Sequence, residues 1–254
     1  MSERKLTSEH IRSYAAYLRL EEKSAATIEK YLHDILTFAR WLGDSPVSRE
    51  AVTGWKEALL AQGRAPATVN GALAALNGLF RFLGWEDCRA KFLKVQRRLF
   101  RDPARELSRT DYDRLIAAAR ELGRERLALV METICATGVR VSEVRYLTVE
   151  AAKAGRAEIS LKGKIRTILI PNKLCRKLLK YAKQQKTASG EIFLTRNGTP
   201  LSRRQIWAEM KGLCKAAGVA ASKVFPHNFR HLFATAYYRA YRDIAKLADV
   251  LGHS

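Results

Sequence analysis

The sequence lacks the short motifs that mark zinc sites, nucleotide-binding loops and membrane spans. Its four cysteines are about 40 residues apart and form no C-x-x-C pair, so we expect free thiols and no structural zinc site. The phosphate-binding loop G-x-x-x-x-G-K-[ST] is also missing, which leaves ATP use without support. No apolar run approaches the ~20 residues needed to span a bilayer, and the charged N-terminus has no apolar signal core. These features predict a cytoplasmic protein.

Acidic residues are scarce relative to basic ones. The 254 residues include 46 Lys+Arg and 25 Asp+Glu, a net charge of +21. Residues 1–100 carry 16 basic against 11 acidic residues, and residues 101–254 carry 30 against 14, so most of the excess lies in the second part. A globular chain with this excess commonly binds nucleic acid. Binding to an acidic membrane surface is the alternative, as is a basic protein without such a partner.

Residues 1–100 have helical periodicity and predict a small helical bundle. The clearest run extends from Ile28 to Leu42 at helical spacing and ends at Gly43. Thr7 or Ser8, Ser48 and Pro66 begin further helices, and the basic tail 91–101 predicts a short last one. We therefore expect a first domain at 1–100 and a linker at 101–107, where Asp102–Pro103 breaks the helical pattern.

The second predicted domain, 108–254, combines helices with one β-hairpin. A capping box at Ser108 begins its first helix. Aliphatic residues in 157–171 surround Lys162–Gly163–Lys164, which predicts a hairpin with a basic tip. Helices are expected at 173–186, at 203–217 and from Pro226 onward. The predicted fold class is mainly α with a small β-hairpin or sheet, in two domains.

Three short stretches contain candidate phosphate-binding residues. In A-T-G-V-R-V-S-E, Arg140 begins a predicted helix, where free N–H groups favour an anion, and Glu143 can pair with it; ordinary surface charge is the alternative. His227 and Arg230 share a helix face, and His253 follows a helix stop at Leu251–Gly252. Imidazole and guanidinium groups together can hold a phosphate and move a proton. Each histidine has a structural alternative, and no third ligand supports a metal site with His227 and His231.

Four motifs in this order, A-T-G-x-R-x-S-E, the Lys hairpin, H-x-x-R and L-G-H-S, resemble those of the tyrosine recombinase (phage integrase) family. The resemblance implies an N-terminal SAM-like core-binding domain and a C-terminal α+β catalytic domain. It implies site-specific DNA recombination through a 3′-phosphotyrosyl intermediate, without a cofactor or metal. The expected partners are double-stranded DNA and further copies of the chain, with a tetramer on two DNA sites and no membrane.

The resemblance also implies roles for individual residues. Arg140 and Arg230 would bind the scissile phosphate, with Glu143 orienting Arg140. Lys162 would donate a proton to the leaving 5′-oxygen, although Leu161 stands where the family has glycine and Lys164 is an alternative. His227 would assist proton transfer at the nucleophile, and His253 would hydrogen-bond the phosphate. Further cations are candidate DNA contacts, with a solvated surface as the alternative: Arg64, Arg81, Lys91, Lys94, Lys164, Arg166, Arg203 and Arg204.

The nucleophilic tyrosine of the family follows the second histidine by roughly nine residues. The sequence ends one residue after His253, and Tyr237, Tyr238 and Tyr241 all precede it. The resemblance therefore predicts a chain that binds DNA without cleaving it. A catalytically silent protein at recombination sites and a type IB topoisomerase-like nicking–closing enzyme are the alternatives. Integrase, resolvase and invertase roles stay open.

Overall fold

The computed structural model describes residues 4–95, 103–161 and 164–252. The chain divides into two compact units, Met1–Arg98 and Leu99–Ser254. Both are mainly helical, and the described strands form one two-stranded antiparallel sheet in the second unit. The predicted fold class is therefore confirmed.

The first unit is a bundle of four helices built around its most apolar member. Its elements are α1 (Ser8–Leu20), α2 (Ala25–Leu42), α3 (Arg49–Ala61), α4 (Pro66–Phe82) and a 3₁₀ turn, Glu86–Cys88. Side-chain oxygens of Thr7, Ser24 and Ser48 cap the first three helices, which satisfies amides that have no partner within the helix. Helix α4 begins with proline at its first turn and buries a face that includes Leu73 and Phe80.

The basic tail does not continue as a helix, so that prediction is wrong for residues 91–95. Two asparagines of α4 hold this segment instead. Asn77 exchanges two hydrogen bonds with the backbone of Ala90, and Asn70 does the same with Leu93, at 2.8–3.1 Å. These side chains satisfy backbone groups that a helix would otherwise pair internally. The rest of the predicted helix, 96–101, lies outside the described residues.

The second unit surrounds the buried helix α6. Its helices are α5 (Arg109–Glu121), α6 (Glu125–Thr137), α7 (Val149–Ala154), α8 (Asn172–Gln184), α9 (Arg203–Lys211), α10 (Pro226–Tyr241) and α11 (Ile244–Leu251). A 3₁₀ helix, Val141–Tyr146, follows α6. Helix α6 packs against α5, α8 and α10. The helix predicted at 203–217 is shorter than expected, because α9 ends at Lys211 and turns follow.

The predicted hairpin is present as β1 (Arg156–Leu161) and β2 (Lys164–Leu169). The strands pair in antiparallel register from Arg156 opposite Leu169 to Leu161 opposite Lys164. Side chains alternate between two faces: Ile159 and Ile168 are buried, whereas Ile165 is exposed. Arg166 lies directly opposite Ile159 and therefore belongs to the buried face.

A buried carboxylate joins the start of α5 to the segment before α10. Asp111 accepts a hydrogen bond from the Ser108 amide at 3.2 Å and forms ion pairs with Arg114 and Lys223 at 2.7 and 3.1 Å. Burial by itself would raise the pKa of Asp111, but the hydrogen bonds from Ser108, Lys223 and Arg114 outweigh it and lower the pKa to about 2.

Replacing Asp111 by asparagine is expected to lower the free energy of unfolding at pH 7 by about 2 kcal/mol. Because the folded pKa is below the ordinary value of 3.8, this stabilisation is complete above pH ~4 and is lost as the pH falls through ~2. Thermal unfolding of both proteins at pH 7 and 2.5 checks this. Asp113→Asn is the matched control, since Asp113 forms an exposed ion pair with Arg109 on the same helix. Equal losses in the two variants would contradict the prediction.

Candidate active site

A cavity of about 720 Å³ opens between the 3₁₀ helix, α9 and the start of α10. The described residues that line it include five arginine or lysine side chains, one histidine and no carboxylate. The basic lining residues are Arg140, Arg203, Arg204, Lys211, His227 and Arg230. A concave surface lined by one sign of charge concentrates ions of the opposite sign. The cavity therefore suits an anion.

Arg140 is presented by a turn that begins at Gly138. Helix α6 ends there with a left-handed backbone, φ +67°, and Arg140 then caps the 3₁₀ helix. Glu143 is only 1% exposed; it accepts hydrogen bonds from the Arg140 amide at 2.6 Å and from the Arg140 guanidinium at 2.8 Å. The guanidinium is thereby held at one edge, while the Arg140 side chain stays 44% exposed.

Glu143 is charged despite its burial. Burial alone would raise its pKa, but hydrogen bonds from the backbone and side chain of Arg140, together with the charges of Arg166 and Arg140, lower the pKa below its usual value. A buried carboxylate that accepts several charge-assisted hydrogen bonds makes a rigid anchor. Glu143 therefore fixes the direction in which Arg140 points.

Arg230 lines the cavity but is only 4% exposed. Its guanidinium donates to the carbonyl oxygens of Gly138 and Leu251. Burial, and then the charges of Arg140 and Arg166, lower the pKa of Arg230 to about 10, while Glu143 acts in the opposite direction. The group is still positive at pH 7. Three guanidinium groups thus face one carboxylate, and an entering anion would relieve their repulsion.

His227 reaches the same cavity from the first turn of α10. Pro226 begins this helix, and the side chain of Asn228 donates to the carbonyls of Arg105 and Lys223 at 2.6 and 2.8 Å. These bonds fix the start of α10, and the three-residue spacing places His227 and Arg230 on the same side of it. The structure therefore brings Arg140, His227 and Arg230 together from two regions of the chain.

Apart from Arg166, the other predicted site residues fall into three groups. Lys162, His253 and the side chain of Lys164 lie outside the described part of the chain. Arg203 and Arg204 line the cavity. The first-unit cations are exposed on their own unit: Arg64, Arg81, Lys91 and Lys94.

Arg166 was expected on the surface as a DNA contact, but its side chain is mostly buried. Its side chain is 14% exposed and ion-paired with Glu143. Period-two alternation along β2 puts Arg166 on the face of Ile168, a signal that could have indicated its burial.

Trp207 and Lys211 also line the cavity, and sequence reasoning did not assign Trp207 to the site. Lys211 lies over the Trp207 ring, 5.7 Å from its centroid. The two residues follow Arg203 at four-residue steps on α9, which places all three on one helix face. That spacing is the signal that could have found Trp207.

The described residues contain neither a metal-binding group nor a membrane-spanning helix. They contain no group of three or more His, Cys, Asp or Glu side chains arranged to hold a metal ion. They also contain no helix with the length and apolar character needed to cross a membrane.

Comparison with known protein families gives two matches that together cover most of the chain. The phage integrase family model matches residues 105–254. The chain belongs to the phage integrase family. The N-terminal SAM-like domain of phage integrases matches residues 11–87. The family expected from the four motifs is thus confirmed, and with it the enzyme class.

Curated relatives are similar over nearly the whole chain. Tyrosine recombinase XerA of Pyrococcus furiosus is 30% identical over 264 residues, covering 100% of this chain and 88% of the relative. Tyrosine recombinase XerD of Brucella suis is 31% identical over 263 residues, covering 92% and 85%.

Solved structures share the fold. A lambda integrase dimer bound to a COC′ core site has a TM-score of 0.80 at 20% identity, covering 99% of this chain and 75% of that one. The Tn1549 transposon integrase in complex with transposon right end DNA has a TM-score of 0.72 at 18% identity, covering 96% and 91%.

Proposed function

We propose that this phage integrase family member is a site-specific recombinase of cytoplasmic double-stranded DNA that breaks and rejoins strands through a 3′-phosphotyrosyl intermediate. The observation that supports this most is the convergence of Arg140, His227 and Arg230 on one cavity, with buried Glu143 holding Arg140. Two guanidinium groups directed at one concave site match the shape and charge of a phosphodiester.

In the proposed reaction, Arg140 and Arg230 bind the two non-bridging oxygens of the scissile phosphate. Negative charge grows on these oxygens as a tyrosine oxygen attacks phosphorus, and fixed positive charge stabilises it. His227 accepts the tyrosine proton, Lys162 donates a proton to the departing 5′-oxygen, and His253 hydrogen-bonds the phosphate. The bond to the 5′-oxygen breaks as the phosphotyrosyl bond forms. A 5′-hydroxyl of another strand reverses these steps and rejoins the DNA.

Cations on each of the two units would bind the backbone of the duplex. Arg203 and Arg204 line the cavity beside the proposed phosphate site, and phosphate contacts of this kind give affinity without sequence information. Arg64, Arg81, Lys91, Lys94 and Lys164 are proposed backbone contacts of the same type. A solved lambda integrase tetramer is bound to a Holliday junction and shares this fold with a TM-score of 0.77. We propose an equivalent assembly of four copies on two DNA sites.

Covalent protein–DNA adducts test this proposal. The 254-residue polypeptide and the same polypeptide extended by a segment with a tyrosine about nine residues after His253 would be incubated with supercoiled DNA and excess chelator, then quenched with denaturant. We expect an adduct from the extended polypeptide only, because no tyrosine follows His253 within residues 1–254. An extended polypeptide with phenylalanine at that position is the matched control.

Other outcomes would point to other functions. An adduct from the 254-residue polypeptide would mean that the nucleophile lies within it. DNA binding without an adduct from either polypeptide would favour a protein that occupies recombination sites. Relaxation of supercoils without joining to a second duplex would favour a nicking–closing enzyme.

A further inference from the structure

Arg166 is a charged residue on the core-facing side of a hairpin. It lies opposite Ile159 in the register of β1 and β2, and its side chain is 14% exposed. Burying a cation is costly unless charged or polar partners surround it. The position therefore calls for specific partners, and the structure supplies them from two other elements.

The first partner is Glu143 in the 3₁₀ helix. One Arg166 nitrogen, Nη2, donates to Oε2 of Glu143, the oxygen that also accepts from the Arg140 amide. The other oxygen, Oε1, accepts from the Arg140 guanidinium. Arg140, Glu143 and Arg166 thus form a continuous chain of charge-assisted hydrogen bonds. Within it, Arg140 lines the cavity, whereas the Arg166 side chain is mostly buried.

The second partner is the C-terminal end of α11. Arg166 Nη1 donates to the carbonyl of Val250 at 2.9 Å. The next two carbonyls accept from the other arginines of the site, Leu251 from Arg230 and Gly252 from Arg140. Carbonyls at the end of a helix have no partner within the helix and carry partial negative charge. Three consecutive carbonyls therefore bind three different guanidinium groups.

Gly252 shows how closely this end of α11 approaches Arg166. Its backbone is left-handed, φ +63°, and a Cβ built there would lie 2.8 Å from Cδ of Arg166. Only glycine fits both the backbone conformation and the contact.

We infer that Arg166 is a positioning residue, which holds Glu143 and the end of α11 in fixed register so that Arg140 and Arg230 can bind one phosphate together. Arg166 itself does not touch the substrate. The planar guanidinium binds two partners on different elements at once, which an ammonium group at the same position cannot reproduce. The inference rests on the proposed recombinase function, because its consequence is measured on DNA cleavage.

Arg166→Lys tests the inference, since lysine keeps the positive charge and most of the side-chain volume. Arg156→Lys on the exposed part of the same hairpin is the matched control. Both would be made in the 254-residue polypeptide and in the tyrosine-extended one. The measurements are affinity for DNA, the single-turnover cleavage rate at saturating DNA, and hydrogen exchange of residues 140–146 and 247–252.

For Arg166→Lys we expect the cleavage rate to fall about 100-fold, the loss typical of a misplacement of about 1 Å. Affinity for DNA should change less than about 3-fold, because Arg140, Arg203 and Arg204 still supply phosphate contacts. Hydrogen exchange should rise in 247–252 and 140–146 while α5 and α6 keep their protection. Arg156→Lys should match the parent in all three measurements.

A purely structural role would lower the folded fraction and leave cleavage per folded molecule unchanged, which would overturn the inference. Unchanged hydrogen exchange at 247–252 would also overturn it. If the parent cleaves and Arg166→Lys cleaves equally, only the inference fails. If the extended parent itself does not cleave, the proposed function fails and the positioning role fails with it.

Discussion

Arg230→Ala is expected to reduce the DNA cleavage rate of the tyrosine-extended polypeptide by about 10³-fold. The reason is the position of Arg230, which lines the cavity with its guanidinium anchored to the carbonyls of Gly138 and Leu251. A fixed donor of this kind needs no reorganisation when charge develops on the phosphate. Alanine removes both the charge and the anchor.

The stability of Arg230→Ala should change much less than its activity. The substitution leaves two carbonyls without a guanidinium partner, which costs about 1–3 kcal/mol, but it also relieves repulsion with Arg140 and Arg166. That repulsion, after burial, is part of the reason why the pKa of Arg230 is lowered. Folded fraction is measured by circular dichroism, and cleavage is expressed per folded molecule.

Arg230→Lys separates charge from geometry at the same position. Lysine keeps the positive charge but cannot bind both carbonyls and a phosphate oxygen in one plane. We expect a cleavage rate between those of the parent and Arg230→Ala. Cleavage by Arg230→Ala within about tenfold of the parent rate, a difference of only 1.4 kcal/mol in the barrier, would show that Arg230 does not bind the reacting phosphate.

Gly138→Ala is expected to lower the free energy of unfolding of the second unit by about 3 kcal/mol. Gly138 has φ +67°, and an added Cβ would lie 2.5 Å from Cδ1 of Phe233. The left-handed backbone disfavours any side chain, and the packed Phe233 ring adds a steric clash. Because Arg230 donates to the Gly138 carbonyl and Arg140 follows two residues later, cleavage should fall as well.

Gly155→Ala is the matched control for this prediction. Gly155 ends α7 with φ +69°, and a Cβ there would meet nothing within 4 Å. This control carries the cost of the backbone conformation alone, about 1 kcal/mol. The difference between the two variants in chemical denaturation measures the clash with Phe233. Equal destabilisation would mean that α10 moves away from the turn without cost.

Local parts of the site could be predicted from the sequence. Arg140 and Glu143 are three residues apart, as are His227 and Arg230, so helical geometry alone makes each pair neighbours. The capping residues Thr7, Ser48 and Ser108 were also predictable, because each bonds an amide three residues away. These interactions depend only on backbone geometry over one turn. The alternation of side chains between the two faces of β2 likewise follows from local backbone geometry.

Long-range contacts needed the tertiary structure. The side chains of Asn70 and Asn77 reach backbone groups 23 and 13 residues away, and residues 91–95 of the helix expected at 91–101 are not helical. A local sequence pattern cannot predict partners this far apart in the chain. Helix propensity is also a weak preference, which tertiary hydrogen bonds override.

The sequence by itself determined the family, the mainly helical architecture, and the choice of Arg140, Glu143, His227 and Arg230 as candidate site residues, since each candidate follows from a motif or from one helical turn. Only the tertiary structure decided which groups Arg166 pairs with, Glu143 and the carbonyl of Val250 at the end of α11, 84 residues further along the chain. The physical reason is that a buried cation must pair with charged and polar groups, and the packing of the helices determines which of these groups lie within reach. That packing is set by α6, α10 and α11 together.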